Sequence, residues 1–499
     1  MRSRTKPTQP ILAAIVVSLL VSTGWAMTPS VSVAPDLQEL MQGSDAELRV
    51  IVSYRQGFDE PQLDAIRERG GREVRELKAA RAFAGSLPLH EIHQLLDDPR
   101  VESIAPDRVV RANMDTIVES LAADRVADNF GHTGRGVTVA LLDSGLAAGM
   151  AVPESRIAAR VDFIDDGSAG RDAYGHGTHI AGIIGGSGGR DAVRGIAPGV
   201  EFVSLRVLDE NGAGRVSDVI AAIDWTIENR RRYGIRLMNL SLGHPPMESY
   251  TTDPLTRAVA KAWAAGITVV ASAGNRGRLV PNHLTIQSPG NSPYVLTVGA
   301  MNDLNTASRD DDVITTYTSR GPSYGDLVVK PDLVAPGNRV VSSHVPGSTL
   351  GETFADGLVG DDLIELSGTS MAAGVVTGAA ALLLERNPRL TNDQIKAIFM
   401  YSADKLGHED VHATGAGYLH LVRALAFTGP FAGVYFDSSS PILRPLPDGG
   451  FDLVRAEPLV DVAAALWGDA ALWGDAALWG DAALWGDAAL WGDAVLWGD

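Results

Sequence analysis

The sequence predicts an α/β protein: a doubly wound, mostly parallel sheet with helices on both faces, preceded by a small ferredoxin-like α+β unit. Three observations carry this. Between residues 130 and 428, apolar runs ("GVTVALLD", "VEFVSLRVL", "IRLMNLSLG", "GITVVASAGN", "YVLTVGA") alternate with helical stretches ("VSDVIAAIDWTIENRRR", "DPLTRAVAKAWAAG"). That alternation builds a parallel sheet covered on both faces. Residues 47–113 instead read strand-helix-strand-strand-helix-strand, the ferredoxin-like order. Finally, 499 residues with 45% hydrophobic and 21% charged side chains can fill roughly two or three globular units.

The chain opens with Arg2, Arg4 and Lys6, an apolar stretch from Ile11 to Val21, and small residues leading to Ala26. This is the three-part pattern of a secretory signal peptide, residues 1–26. The apolar run is shorter than the roughly 20 residues of a spanning helix, so cleavage and export are expected rather than anchoring. The protein is expected to be secreted or extracellular. There is no Cys, which excludes disulfides and thiolate metal sites. With 42 Lys and Arg against 61 Asp and Glu, the net charge is −19, which argues against nucleic-acid binding.

In the front unit, "ELRVIVSY" alternates as a strand, and "DEPQLDAIRERGG" is a helix with Pro61 in its first turn and Gly70–Gly71 at its end. "REVRELK" and "RAFAGSLP" are two strands, "LHEIHQLLDDP" a helix stopped by Pro99, and "RVESIAPDRVV" the last strand. The α/β unit then spans 114–428. Residues 429–460, rich in Pro, Ser and Gly, read as a linker or small appendage, and residues 461–499 repeat Leu-Trp-Gly-Asp with a period of six.

Three segments carry chemistry. In "VTVALLDSG" an apolar strand ends in Asp143; such an Asp is either a turn former or a charged group held at the carboxyl end of a strand. In "DAYGHGTHIAGIIGG" Gly175 and Gly177 flank His176, so the ring can meet a partner and a substrate closely. The His-x-x-His pair lacks the further ligands of a zinc site. In "LSGTSMAAGVVTGAAALLLERNP" Ser370 stands where a buried helix begins. It is either an N-cap or a nucleophile beside the backbone N–H groups of a helix start. The segment is Gly-x-Ser-x-Ala, not the elbow of the α/β-hydrolases. The chain order Asp, His, Ser is that of subtilisin.

On these residues the chain resembles the subtilisin-like serine proteases. "VALLDSG", "GHGTHIAG" and "GTSMAAG" match the three catalytic blocks, and "MNLSLG", "ASAGN", "SRGP" and "KPDLVAPG" match further family segments. The resemblance implies Ser370 as nucleophile, His176 as general base and acid, and Asp143 as the group that orients and stabilises the imidazolium. It implies Asn275 as oxyanion donor together with the Ser370 backbone N–H; in subtilisin, losing this donor costs roughly 10²–10³ in turnover. Ser241, Leu242 and Gly243 would form one backbone wall of the cleft, where substrate adds as a strand. Ser272, Ala273 and Gly274 would form the other. Arg276 is either a solvated side chain or a group at the pocket mouth favouring an acidic or polar residue.

The resemblance further implies that residues 47–113 are an inhibitory prodomain that assists folding and then occupies the cleft, with autocleavage near Asn113–Met114. Substrates would be proteins or peptides, and no cofactor is required for the chemistry. Two departures stand out. Gly374 and Val375 replace a usual Pro and polar residue, which relaxes the first turn after Ser370. "GSGGRDAVRG" lacks the Asn-rich run of a calcium site; calcium at "DFIDDGSAGRD" is left open, with no metal ligand assigned. The alternative to an enzyme is a catalytically dead binding module of the same fold. For the tail, the even period keeps Trp and Asp on one face of an extended strand. It would then contact a cell-surface or carbohydrate component, or it is a tandem duplication with little function.

Overall fold

The structure, a computed structural model, describes residues 31–112 and 131–456 except 43–46, 58, 148, 150, 165–170, 190–191, 280–281, 305, 307–308, 310, 407–409, 429–437 and 447–450. The leader at 1–26, the Asn113–Met114 junction and the repeat tail lie outside the described residues.

In the front unit the strands lie in the order Val101–Pro106, Leu48–Tyr54, Ala82–Leu87, Arg72–Leu77, all antiparallel neighbours. This is the fourth-first-third-second order of a ferredoxin-like sheet. The helices Glu60–Glu68 and Leu89–Leu96 cover one face, burying Leu63, Ile66 and Ile92 against Val50, Val52, Phe83 and Ile104. Asp59 and Gln62 close a reciprocal cap on the first helix, with Pro61 in its first turn. The unit also takes in an earlier segment than expected. Ser32–Val33 adds as a parallel edge strand beside Ser103–Ile104, and the helix Pro35–Gln42 buries Leu37 in the same core.

The main sheet runs Ile157–Asp162, Glu201–Arg206, Thr138–Asp143, Ile235–Leu240, Thr268–Ser272, Leu296–Asn302, Leu333–Pro336, with all neighbours parallel. A short antiparallel strand, Val313–Ile314, meets the end of Leu296–Asn302. Alternation decides the faces. Val139 and Leu141 pack with the helices His176–Gly185 and Thr369–Arg386, whereas Ala140 and Leu142 pack with Val216–Tyr233 and Pro254–Ala264. The order reverses at Thr138–Asp143, whose neighbours on either side come later in the chain. A crevice opens beyond the carboxyl end of such a strand, and that end is Asp143.

The second face of the front sheet docks on the last two of those helices. Ile51, Leu77, Ala82 and Ala84 join Val219, Ile220, Ile223, Leu255 and Val259 in one core. Asp107 of the front unit accepts from Ser217 N (2.8 Å) and Ser217 Oγ (2.6 Å), satisfying the start of the helix Val216–Tyr233. Within 429–460, the described residues are seated on the main domain. Ile442–Pro445 pairs with Phe451–Val454, Val329 N donates to Pro441 O (2.8 Å), and Leu443 N donates to Leu327 O (3.0 Å).

Candidate active site

Asp143 is 1% exposed and His176 is fully buried. His176 Nδ1 lies 2.7 Å from Asp143 Oδ1, which also accepts from Ser144 N at 2.8 Å. The pair forms because the strand end and the helix start are pressed together. A Cβ on Gly177 would fall 2.1 Å from Gly145 O, so only glycine lets the helix sit on the Asp-Ser-Gly turn. Asp172, absent from the expected residues, ties the two segments. Its Oδ1 accepts from Ser144 Oγ (2.7 Å) and Gly175 N (2.7 Å), its Oδ2 from Thr178 N (2.7 Å) and Thr178 Oγ1 (2.6 Å). Burial pushes this carboxyl up, and the bonds from Thr178 and Ser144 oppose that. His176 Nε2 and Asp143 Oδ2 have no hydrogen-bond partner among the described residues.

Ser370 is the second residue of its helix and fully buried. Its Oγ donates to Ser241 O (3.0 Å), and Ser241 Oγ donates to Ser370 O (3.0 Å). Ser241 is fixed in turn by Asn239 Nδ2 (2.9 Å), and Asn239 Oδ1 by Thr377 Oγ1 (2.9 Å), further along the serine helix. Asn275 Oδ1 accepts from Thr369 N (3.1 Å) and Thr369 Oγ1 (3.0 Å), while its Nδ2 is buried without a partner among the described residues. The amide thus spends its acceptor on the serine helix and keeps its donor. Gly374 sits at a close approach of two helices. Its Cβ position would lie 3.2 Å from Ile183 Cγ2, so the histidine and serine helices meet where the family pattern has proline.

One of the expected cleft walls, Leu242–Gly243, is paired. Val109–Ala112, the last described strand of the front unit, lies between Leu242–Gly243 and Ala213–Arg215 and pairs antiparallel with both. Ala112 stands opposite Leu242, Arg111 opposite Gly243 and Ala213, and Val110 opposite Gly214; Ala112 N donates to Gly212 O (3.1 Å). Ala213–Arg215 was not among the expected wall residues. Its signal, a small-residue run "NGAGR" after a strand, is no stronger than that of an ordinary turn. Ser272–Gly274, the other expected wall, is held by different partners: Ala273 O accepts from Gln287 N (3.0 Å), and Gly274 N donates to Thr369 Oγ1 (3.1 Å). Arg276 is half-buried, with its backbone N–H on Ser319 Oγ (3.0 Å). The segment left open for calcium falls partly on residues outside the described set; within it, Asp162 pairs with Arg206 (3.1 Å).

The sequence model of the subtilase family matches residues 134–417. Serine protease AprX of Bacillus subtilis (strain 168) is 36% identical over 387 residues, covering 74% of this chain and 86% of the relative. Subtilisin E of the same strain is 29% identical over 379 residues, covering 74% and 89%. The extracellular serine proteinase of Thermus sp. (strain Rt41A) is 32% identical over 378 residues, covering 74% and 82%. Among solved structures, fervidolysin from Fervidobacterium pennivorans, a keratinolytic enzyme related to subtilisin, superposes with a TM-score of 0.62 at 23% identity. The match covers 80% of this chain and 63% of that one, and shows a common fold.

Proposed function

We propose, for a chain that belongs to the subtilase family and is a serine endopeptidase of the subtilisin type, that Asp143, His176 and Ser370 are its catalytic triad and that it is made as a secreted, self-processing zymogen. The observation that carries this reading is the strand Val109–Ala112, held in extended form between two walls, one of which leads into Ser241 and so to Ser370. A substrate strand bound to these walls would present its next peptide bond to the nucleophile.

In the reaction, the Ser370 hydroxyl turns from Ser241 O toward His176 Nε2, gives up its proton there and attacks the peptide carbonyl carbon. The Asp143 carboxylate on Nδ1 balances the imidazolium that forms. The tetrahedral oxyanion accepts from Asn275 Nδ2, which Thr369 has already oriented, and from the Ser370 backbone N–H. Collapse breaks the C–N bond as His176 protonates the leaving amine, and water then repeats the sequence on the acyl-enzyme.

On this reading the front unit is an inhibitory prodomain whose last strand is the first substrate, cut at Asn113–Met114. Secretion is supported by the leader pattern and by the extracellular relative. The Trp-bearing tail would hold the secreted enzyme on a cell-surface or carbohydrate component. A fluorophosphonate probe tests the triad: labelling of the mature protein that disappears in both Ser370→Ala and His176→Ala is expected. A mature protein that takes no label would instead be a binding module of this fold.

A further inference from the structure

The turn from Gln287 to Ser292 carries buried polar atoms that its hydrogen bonds do not satisfy. Gln287 is 9% exposed, and its Oε1 has no partner among the described residues. Both amide atoms of Asn291 and the Ser292 hydroxyl are likewise buried without partners there. A buried polar atom left unbonded is costly, so it meets either water or a ligand.

Gln287 stands between the two sides of the cleft. Its N–H donates to Ala273 O (3.0 Å), and the next residue, Ser288, exchanges backbone bonds with His244 (2.9 and 3.0 Å), just beyond Gly243. The side chain lies flat on Gly274: a Cβ there would fall 2.7 Å from both Gln287 Oε1 and Cγ. Gly274 has φ +102°, and only a glycine leaves the amide this place. Asn275 follows directly. A substrate strand that continued the register of the Ala112–Leu242 pair would set its next residue opposite Ser241, beside these same walls. The sequence supplies an amide at that position, Asn113, which lies outside the described residues.

We propose that Gln287 is a specificity-determining residue. Its Oε1 is the polar floor of the pocket for the residue preceding the scissile bond (P1), and it selects an Asn- or Gln-sized side chain ending in an N–H donor over an aliphatic or aromatic one. The proposal rests on the triad reading above. Under a Leu or Phe the acceptor stays buried and unpaired, and a site built around a hydrogen bond discriminates through that unpaired group.

The test uses the full-length protein after activation and nitroanilides of Val-Arg-Ala followed by Asn, Gln, Leu, Phe or Lys. Wild type is expected to favour Asn over Leu in kcat/KM by about tenfold or more. Gln287→Leu should reverse that ratio, and Gln287→Glu should move the preference to Lys. Fluorophosphonate titration of Ser370 reports folding in each variant, and Gln287→Glu, an isostere, serves if Gln287→Leu does not fold. Normal labelling with Leu preferred, or with ratios unmoved by the labelled variants, overturns this proposal alone. Wild type that neither labels nor cleaves any substrate overturns the triad reading and this one with it.

Discussion

Asn275 shows how a residue is prepared for one bond. Thr369 spends two donors on its Oδ1, at 3.1 and 3.0 Å, so the amide cannot turn and Nδ2 is left for the oxyanion of the proposed mechanism. Asn275→Ala is therefore expected to lower kcat by roughly 10²–10³ with little change in KM. Thr369→Val, which keeps the backbone donor and loses the hydroxyl, should lower kcat by about tenfold. Steady-state kinetics separates the cases, since a rise in KM at constant kcat would make Asn275 a ground-state binding group. Asp143, His176 and Ser370, the proposed triad, stand out in the sequence through their combination: a charge ending an apolar strand, a His between glycines and a Ser heading a buried helix are each ordinary alone, and the chain order Asp, His, Ser is what singles them out. Thr369, Asp172 and Gln287 carry no such signal. A Thr beside a helix start and an Asp before a turn are ordinary, and their role exists only in contacts with residues far along the chain.

At the scale of elements, the front sheet and the helix Val216–Tyr233 meet through charge as well as apolar contact. Arg75 pairs with Asp218 (2.7 Å), Lys78 with Glu228 (2.8 Å), and the Ala79 N–H bonds Asp224. Further along the same interface Arg108 holds Asp36 and Glu248. Burial pushes Asp224 up to about 6, against the backbone N–H of Ala79 and the charge of Lys261, and pushes Glu248 up to about 7 despite Arg108. Raised carboxyl values mean that the docked, folded chain binds more protons than the unfolded one between about pH 4 and these values. The contribution to stability therefore falls as pH rises through that window, and stays low above it. Thermal melts of the uncleaved Ser370→Ala chain should show this. Asp224→Asn, which keeps an acceptor for Ala79, should gain in melting temperature relative to the parent as pH goes from 4.5 to 7.5. Parallel curves would remove Asp224 from the interface energetics. The strand and helix order of the front unit was readable from its periodicity. Its extra strand Ser32–Val33 was not, because a two-residue edge strand has no period and is defined by its partner.

The fold as a whole was legible because a doubly wound sheet leaves apolar strand runs alternating with helical stretches, most clearly between Glu201 and Ser272. The stretch beyond the last helix was harder to read. Pro and Ser give residues 438–446 the composition of a linker, yet they close a buried charge cluster. Ser440 Oγ donates to Asp332 Oδ1 (2.6 Å) and accepts from Lys396 Nζ (2.9 Å), and Asp332 also holds Lys330 (2.7 Å). All four side chains are buried, and burial drives Lys330 well below the ordinary lysine range. Ending the chain at residue 460 is expected to leave melting temperature and peptide hydrolysis unchanged. Ending it at 437 strips Asp332 and Lys396 of a buried partner and should destabilise the domain measurably. Equal melting temperatures would contradict this. The central claim is that the strand Val109–Ala112 is the enzyme's own first substrate, delivered to Ser370. N-terminal sequencing of the purified protein, made in a protease-deficient host, tests it most directly. The expected result is a mature chain beginning at Met114 and a Ser370→Ala chain that remains uncut there. A mature start before Glu47, or the same cut in the Ser370→Ala chain, would contradict it.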